Sequence, residues 1–167
     1  GGTLKDPTYH NLGDHTEVFQ IDYDPEQISY DQILEIFWAN FNPNLPYSTQ
    51  YKSVIMTHDA EQHAAAMLTK LAVEMELGHA VTADVVTLDQ FYYAEDYHQK
   101  YYLQGEADLA MEIKAYYPDF KDFINSTAAA RLNGFVAGYR DRQLLAEELE
   151  DYGLSPEMLD LLKANLN

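Results

Sequence analysis

The sequence predicts an α+β fold with a helical C-terminal extension, and three observations carry that reading. Strand-like segments at 16–23, 51–56 and 81–88 alternate with helical periodicity as far as Gln104. Beyond Gln104 the pattern is helical throughout, in short pieces. The chain has 167 residues with 47% hydrophobic content, which suits one domain with a real core and an appendage. The expected division is 1–104 for the α+β part and 105–167 for the extension.

The first strand is expected over 16–23, ending at the Asp24-Pro25 turn. In strict alternation Glu17, Phe19, Ile21 and Tyr23 share one side, and Val18, Gln20 and Asp22 the other. Three large apolar or aromatic neighbours predict that Glu17's side packs inward. A carboxyl group held there would resist ionisation and could donate a proton near neutral pH. A helix follows from Tyr30 to Phe41, opened by Ser29 with Gln32 three residues later, the pattern of a capping box. Ile33, Leu34, Phe37 and Phe41 line one of its faces, and Trp38 belongs to the core.

After a Pro-rich loop at 42–48, Tyr51 to Met56 reads as the second strand. Asp59 with Gln62 opens a long helix whose expected apolar face is Ala64, Met67, Leu68, Leu71 and Met75, and Gly78 ends it. Val81 to Leu88 is the third strand, and Ala94 to Leu103 a helix packing its aromatics. In the extension, 106–116, 127–137, 141–151 and 156–165 suit short helices, with Ser126 and Ser155 as N-caps and Pro156 at the first helical position. The extension is expected to cap the sheet. Alternatively, the Ser126 to Arg131 run with Gly134 and Gly138 forms a tight helix-packing or docking surface.

Ten basic against 28 acidic residues give a formal charge of −18, which argues against nucleic acid as a partner. No apolar run approaches the roughly 20 residues of a membrane span, and no leader is visible; the expected location is cytoplasmic. The chain has no cysteine, which excludes disulfides and thiolate metal sites within it. His58 and His63 are five apart, a spacing that does not share a helix face, so no metal is expected. There is no phosphate loop and no serine nucleophile elbow, so no cofactor is expected.

Four runs stand in order: Gly1-Gly2 through Pro25; Ile28-Ser29-Tyr30 with Ile36-Phe37-Trp38; Thr49-Gln50-Tyr51-Lys52-Ser53; and Phe91 through Tyr101. In this order and spacing they resemble the A-type methionine sulfoxide reductases (peptide-methionine (S)-S-oxide reductases), over roughly residues 1 to 104. The resemblance implies a two-layer α/β sandwich, the ferredoxin-like core of that family, incomplete at its N-terminus. It also implies a division of labour in which a cysteine thiolate attacks the sulfoxide sulfur while a buried glutamic acid and two tyrosines bind or protonate the oxygen. On the matching positions the glutamic acid is Glu17 and the tyrosines are Tyr9 and Tyr51. His15, in the same motif, joins the substrate-binding set or supports it, while Glu95, Asp96 and His98 support their own segment. The implied substrate is methionine S-sulfoxide, free or in proteins, and the implied reductant is a thioredoxin-like thiol donor.

The chain departs from the family pattern in three ways. Its nucleophile lies in a Gly-Cys-Phe-Trp run, whose Phe and Trp hold the substrate methyl group, and this run has no counterpart here. The loop Asn44-Leu45-Pro46-Tyr47-Ser48 is short and lacks the carboxylate of the family's Gly-Asn-Asp run. The turn between Tyr9 and Glu17 is shortened too, which could move the two relative to each other. The chain opens on Gly-Gly instead of Met, so a fragment of a longer protein is expected; a natural cysteine-free variant would need another chain or a rearranged sheet to satisfy buried backbone groups. Enzyme, cysteine-free binding module and structural fragment are therefore the competing functions.

Overall fold

The computed structural model describes residues 2–42, 48–139 and 142–164, which form two compact units, Gly1–Tyr93 and Ala94–Asn167. The units divide after Tyr93, and Leu103 is fully buried in the core of the second one. The fold is α+β: helices accompany, among the described residues, a two-stranded parallel sheet. No described helix is long and apolar enough to cross a membrane. The expected loop residues Asn44 to Tyr47 lie outside the described residues.

In the first unit α1 (Tyr30–Asn40) begins with the expected capping box: Gln32 N–H donates to Ser29 Oγ at 3.2 Å and Ser29 N–H to Gln32 Oε1 at 2.8 Å. β1 (Val54–Thr57) leads into α2 (Ala60–Leu77), which returns the chain to β2 (Asp84–Thr87) beside β1, with Val54 opposite Asp84 and Thr57 opposite Thr87. Asp59 accepts from Gln62 N–H to open α2, and Gly78, in the left-handed conformation at φ 75°, ends it. Leu34, Ile55 and Ala66 are the core, with Phe37, Trp38 and Val85 packed on it. Trp38 Nε1–H donates to Thr69 Oγ1 at 2.9 Å, tying α1 to α2.

Two expectations fail in this unit. Residues 16–23 form no regular strand: apart from Glu17 N–H bonding to the Gln50 carbonyl, no ladder among the described residues takes up their backbone. Most of their supposed inward side faces water, with Glu17 exposed, Phe19 83% exposed and Ile21 49% exposed, while Tyr23 is half-buried. Alternation tells which side chains share a side, but a side is buried only where another layer covers it. The same holds for α2, whose Ala64, Met67, Leu68, Leu71 and Met75 stripe is exposed, Met75 at 75%. Ala66 and half-buried Ala65 and Thr69 on another face meet the core instead, their small side chains letting the helix sit close.

The second unit opens with a 3₁₀ turn (Asp96–His98) and α3 (Tyr101–Gly105). The single helix expected over 94–103 is broken because Lys100 takes a left-handed backbone at φ 46°. Its aromatics do not pack inward: Tyr97, Tyr101 and Tyr102 are exposed, and Leu103 supplies the anchor. Next come α4 (Ala107–Tyr116), α5 (Phe120–Asn125), α6 (Thr127–Val136), α7 (Arg142–Glu148), a 3₁₀ turn (Leu149–Tyr152) and α8 (Pro156–Ala164). Ser126 caps α6 through Ala129 N–H, and Ser155 caps α8 through Met158 N–H, as expected. α5 was not foreseen; Asp119 accepts from Lys121 and Asp122 N–H to start it. The unit has its own core, including Leu103, Ile113, Phe123, Leu132 and Leu149. Ala128 and Ala129 are buried in that core, the helix-packing alternative, while Thr127, Ala130 and Arg131 are exposed, and Gly134 and Gly138 have open space beside them.

Candidate functional site

The site is built from two irregular segments of the first unit, the loop from Thr3 to Glu17 and the turn from Ser48 to Tyr51. Thr8 and Asn11 exchange backbone hydrogen bonds of 3.2 and 2.9 Å, closing a tight turn that carries Tyr9. The ends of the loop are clasped by Asp14. Its carboxylate accepts Thr3 N–H at 2.8 Å, Thr3 Oγ1–H at 2.9 Å and Leu4 N–H at 3.2 Å. These donors hold the Asp14 carboxyl well below the usual range, lowered from 3.8 to about 2. A side chain at Gly2 would come within 2.6 Å of Asp14 Oδ1, so glycine is what fits against the clasp.

His15 is 5% exposed, donates from Nε2 to the Leu4 carbonyl at 2.7 Å and meets the Tyr92 ring edge-on. Its ring is committed to holding the loop. The chain then runs alongside the second segment: Thr16 Oγ1–H donates to the Thr49 carbonyl at 2.7 Å, and Glu17 N–H to the Gln50 carbonyl at 2.9 Å. Gln50 Nε2–H returns a bond to Glu17 Oε1 at 2.6 Å. Tyr51 N–H is held by Ser48 Oγ at 3.1 Å.

These bonds bring the expected residues together. Tyr51 shares a side-chain hydrogen bond with Tyr9 and lies within the electrostatic reach of Glu17. Its phenol is held above the ordinary tyrosine range by partial desolvation first, then by the Tyr9 hydrogen bond and the Glu17 charge. The sequestration expected for Glu17 is not there. The carboxyl group is exposed, Tyr9 is 42% and Tyr51 57% exposed, and the trio sits on an open surface. Asp14 and Gln50 were missed as parts of the site although both stand in the quoted motifs. Among the described residues no group of three or more His, Cys, Asp or Glu side chains could hold a metal ion.

An open carboxyl-and-phenol cluster on an α+β frame has the chemistry of a site for a small polar acceptor, and sequence relatives narrow the class. The family model for peptide methionine sulfoxide reductase matches residues 1–130, reaching into the helical unit. A peptide methionine sulfoxide reductase of Drosophila melanogaster is 41% identical over 159 residues, covering 93% of this chain and 63% of that protein. One from Haloquadratum walsbyi is 37% identical over 125 residues, 69% of this chain and 72% of that protein. A third, from Oryza sativa subsp. japonica, is 33% identical over 144 residues, 82% of this chain and 56% of its own length. The chain belongs to the peptide methionine sulfoxide reductase family. It spans somewhat over half the length of the fly and rice relatives.

Proposed function

We propose that this chain supplies the oxygen-binding side of a methionine S-sulfoxide reductase. The observation that carries the proposal is the convergence of Glu17, Tyr9 and Tyr51, held by bonds between the Thr16–Glu17 and Thr49–Gln50 segments. A sulfoxide oxygen carries substantial negative charge and becomes a better leaving group when hydrogen-bonded or protonated. Two phenols can donate to it, and a carboxyl group beside them can pass it a proton. Exposure of Glu17 leaves burial by the protein out of the account, so a seated substrate must itself exclude water from the carboxyl group.

With no cysteine in the chain, the attacking thiolate comes from a part of the protein not contained in these residues. The oxidised thiol is then restored by an external, thioredoxin-like donor. Free and protein-bound methionine sulfoxide are the proposed substrates. The acidic surface disfavours nucleic acid, and no compartment beyond the cytoplasm is needed for this chemistry. The absence of cysteine favours a second reading, a sulfoxide- or partner-binding module that does not turn over.

The test is an assay with resolved S- and R-sulfoxides on the protein joined to its thiol-bearing segment. The first reading expects reduction of the S form, lowered about 10²-fold or more by Glu17→Gln with the fold kept. An unchanged rate removes Glu17 from the chemistry. Stereoselective binding without reduction moves the conclusion to the binding module.

A further inference from the structure

Glu17 has three rotatable side-chain bonds and an exposed position, so packing gives it no reason to stay beside Tyr9 and Tyr51. What stands against that freedom is Gln50. The two residues are joined twice, by Glu17 N–H to the Gln50 carbonyl at 2.9 Å and by Gln50 Nε2–H to Glu17 Oε1 at 2.6 Å. Thr16 Oγ1–H on the Thr49 carbonyl, 2.7 Å away, fixes the backbone on the preceding residue pair. The amide that reaches the carboxyl group therefore grows from a backbone already registered against it. The next residue after Gln50 is Tyr51, so the amide and one phenol come from the same turn.

We propose that Gln50 is a positioning residue for Glu17: it captures Oε1, holds the carboxyl group beside the two phenols, and leaves Oε2 as the oxygen that faces a bound sulfoxide. The inference rests on reading the trio as a sulfoxide-oxygen site and adds the part that orients it. Among the described residues Oε2 accepts no hydrogen bond, so the two carboxyl oxygens are unequal before any ligand arrives. A proton on Glu17 is then directed to Oε2, since Oε1 already accepts from the amide. A neutral amide suits this task better than a lysine would. It orients the carboxylate without neutralising it, and the charge remains available to act on Tyr51.

The test uses the chain as it is, with tyrosine labelled at Cζ, Tyr51 assigned through Tyr51→Phe, and the phenol titrated by ¹³C NMR. Glu17→Gln is expected to lower the Tyr51 midpoint by removing the nearby charge. Gln50→Met, which keeps the length and loses the donor, is expected to lower it most of the same way, because Glu17 swings into water. Glu17→Gln added to Gln50→Met should then change little. A Tyr51 midpoint that ignores Gln50→Met while responding to Glu17→Gln overturns the inference and leaves the site reading intact. A midpoint that ignores Glu17→Gln overturns both. Gln50→Asn, which keeps the amide but withdraws it by one carbon, must give the same fall if Gln50→Met perturbs the turn. Amide spectra outside 14–18 and 48–52 report that the fold is kept.

Discussion

A carboxylate that collects several donors at the surface is governed by what it accepts, not by how deeply it lies. Asp14 illustrates this with the donors from Thr3 and Leu4, which lower its pKa from 3.8 to about 2. The sign follows from linkage. A depressed folded-state value means the clasp contributes fully above the unfolded carboxyl's ordinary range and is lost as pH falls through about 2. The Thr3 and Leu4 amide resonances should therefore stay fixed on acidification to about pH 3.5 and move with a midpoint near 2, and Asp14→Asn should remove that transition. A midpoint near the ordinary carboxyl value would mean the clasp does not form in solution. Tyr30 poses the opposite problem, since its hydroxyl is buried and finds no hydrogen-bond partner among the described residues. Desolvation accordingly pushes its phenol up, helped by Tyr23, Asp59 and Asp31. Removing an unsatisfied buried hydroxyl relieves a penalty, so Tyr30→Phe should raise the unfolding free energy by about 1 kcal/mol in a denaturant titration. A loss of similar size would show that the hydroxyl has a partner in solution.

At the scale of the element, the features legible in the sequence were those decided within a few residues. The Ser29–Gln32 box, the Asp59 and Ser126 caps, the Gly78 stop and Pro156 at the head of α8 all formed where the pattern put them. The serine and aspartate caps depend on one side chain reaching a backbone group three residues away, and Gly78 and Pro156 on their own backbone preferences, so nothing distant overrules them cheaply. Ser29→Ala should cost about 1 kcal/mol in the unfolding of the first unit, and Gln32→Ala less, because the Ser29 side chain satisfies a helix N–H that otherwise has no partner. Features that depended on a covering layer were not legible. Periodicity found a stripe on α2 and a side on 16–23, but the cover that would bury Met67, Leu71, Phe19 or Ile21 is not written in their spacing. Leu71→Gln and Met75→Gln should each change stability by less than about 0.5 kcal/mol in a thermal melt, whereas a core stripe would lose several times as much. The break at Lys100 escaped for another reason. A left-handed backbone at a lysine is set by where α3 must begin against Leu103's core, not by the lysine itself.

For the molecule as a whole, the nearness of Glu17, Tyr9 and Tyr51 follows the motif order, whereas their openness does not, because exposure is a property of the assembled surface. The same contrast separates the two units. The first has a small buried nucleus of Leu34, Ile55 and Ala66 and carries Glu17, Tyr9 and Tyr51 on irregular segments. The second buries a longer set running from Leu103 through Ile113, Phe123 and Leu132 to Leu162, and knits it with polar staples. Lys114 shows how. Its ammonium group donates to Gln104 Oε1 at 2.7 Å while lying 5.0 Å from the Phe123 ring centroid, so one side chain joins α3, α4 and α5. Asn133 Oδ1 accepts from Leu103 N–H at 3.1 Å and brings α6 onto the same point. Every one of these contacts is made within Ala94–Asn167. Residues 94–167 expressed alone should therefore be helical by circular dichroism and melt in one cooperative transition. In that isolated unit Ile113→Ala, which opens a cavity at a fully buried position, should lower the unfolding free energy by about 2–5 kcal/mol. A non-cooperative melt of the isolated unit would mean that its core depends on residues before Ala94. A negligible effect of Ile113→Ala would mean that the helices associate without the close packing the structure gives them.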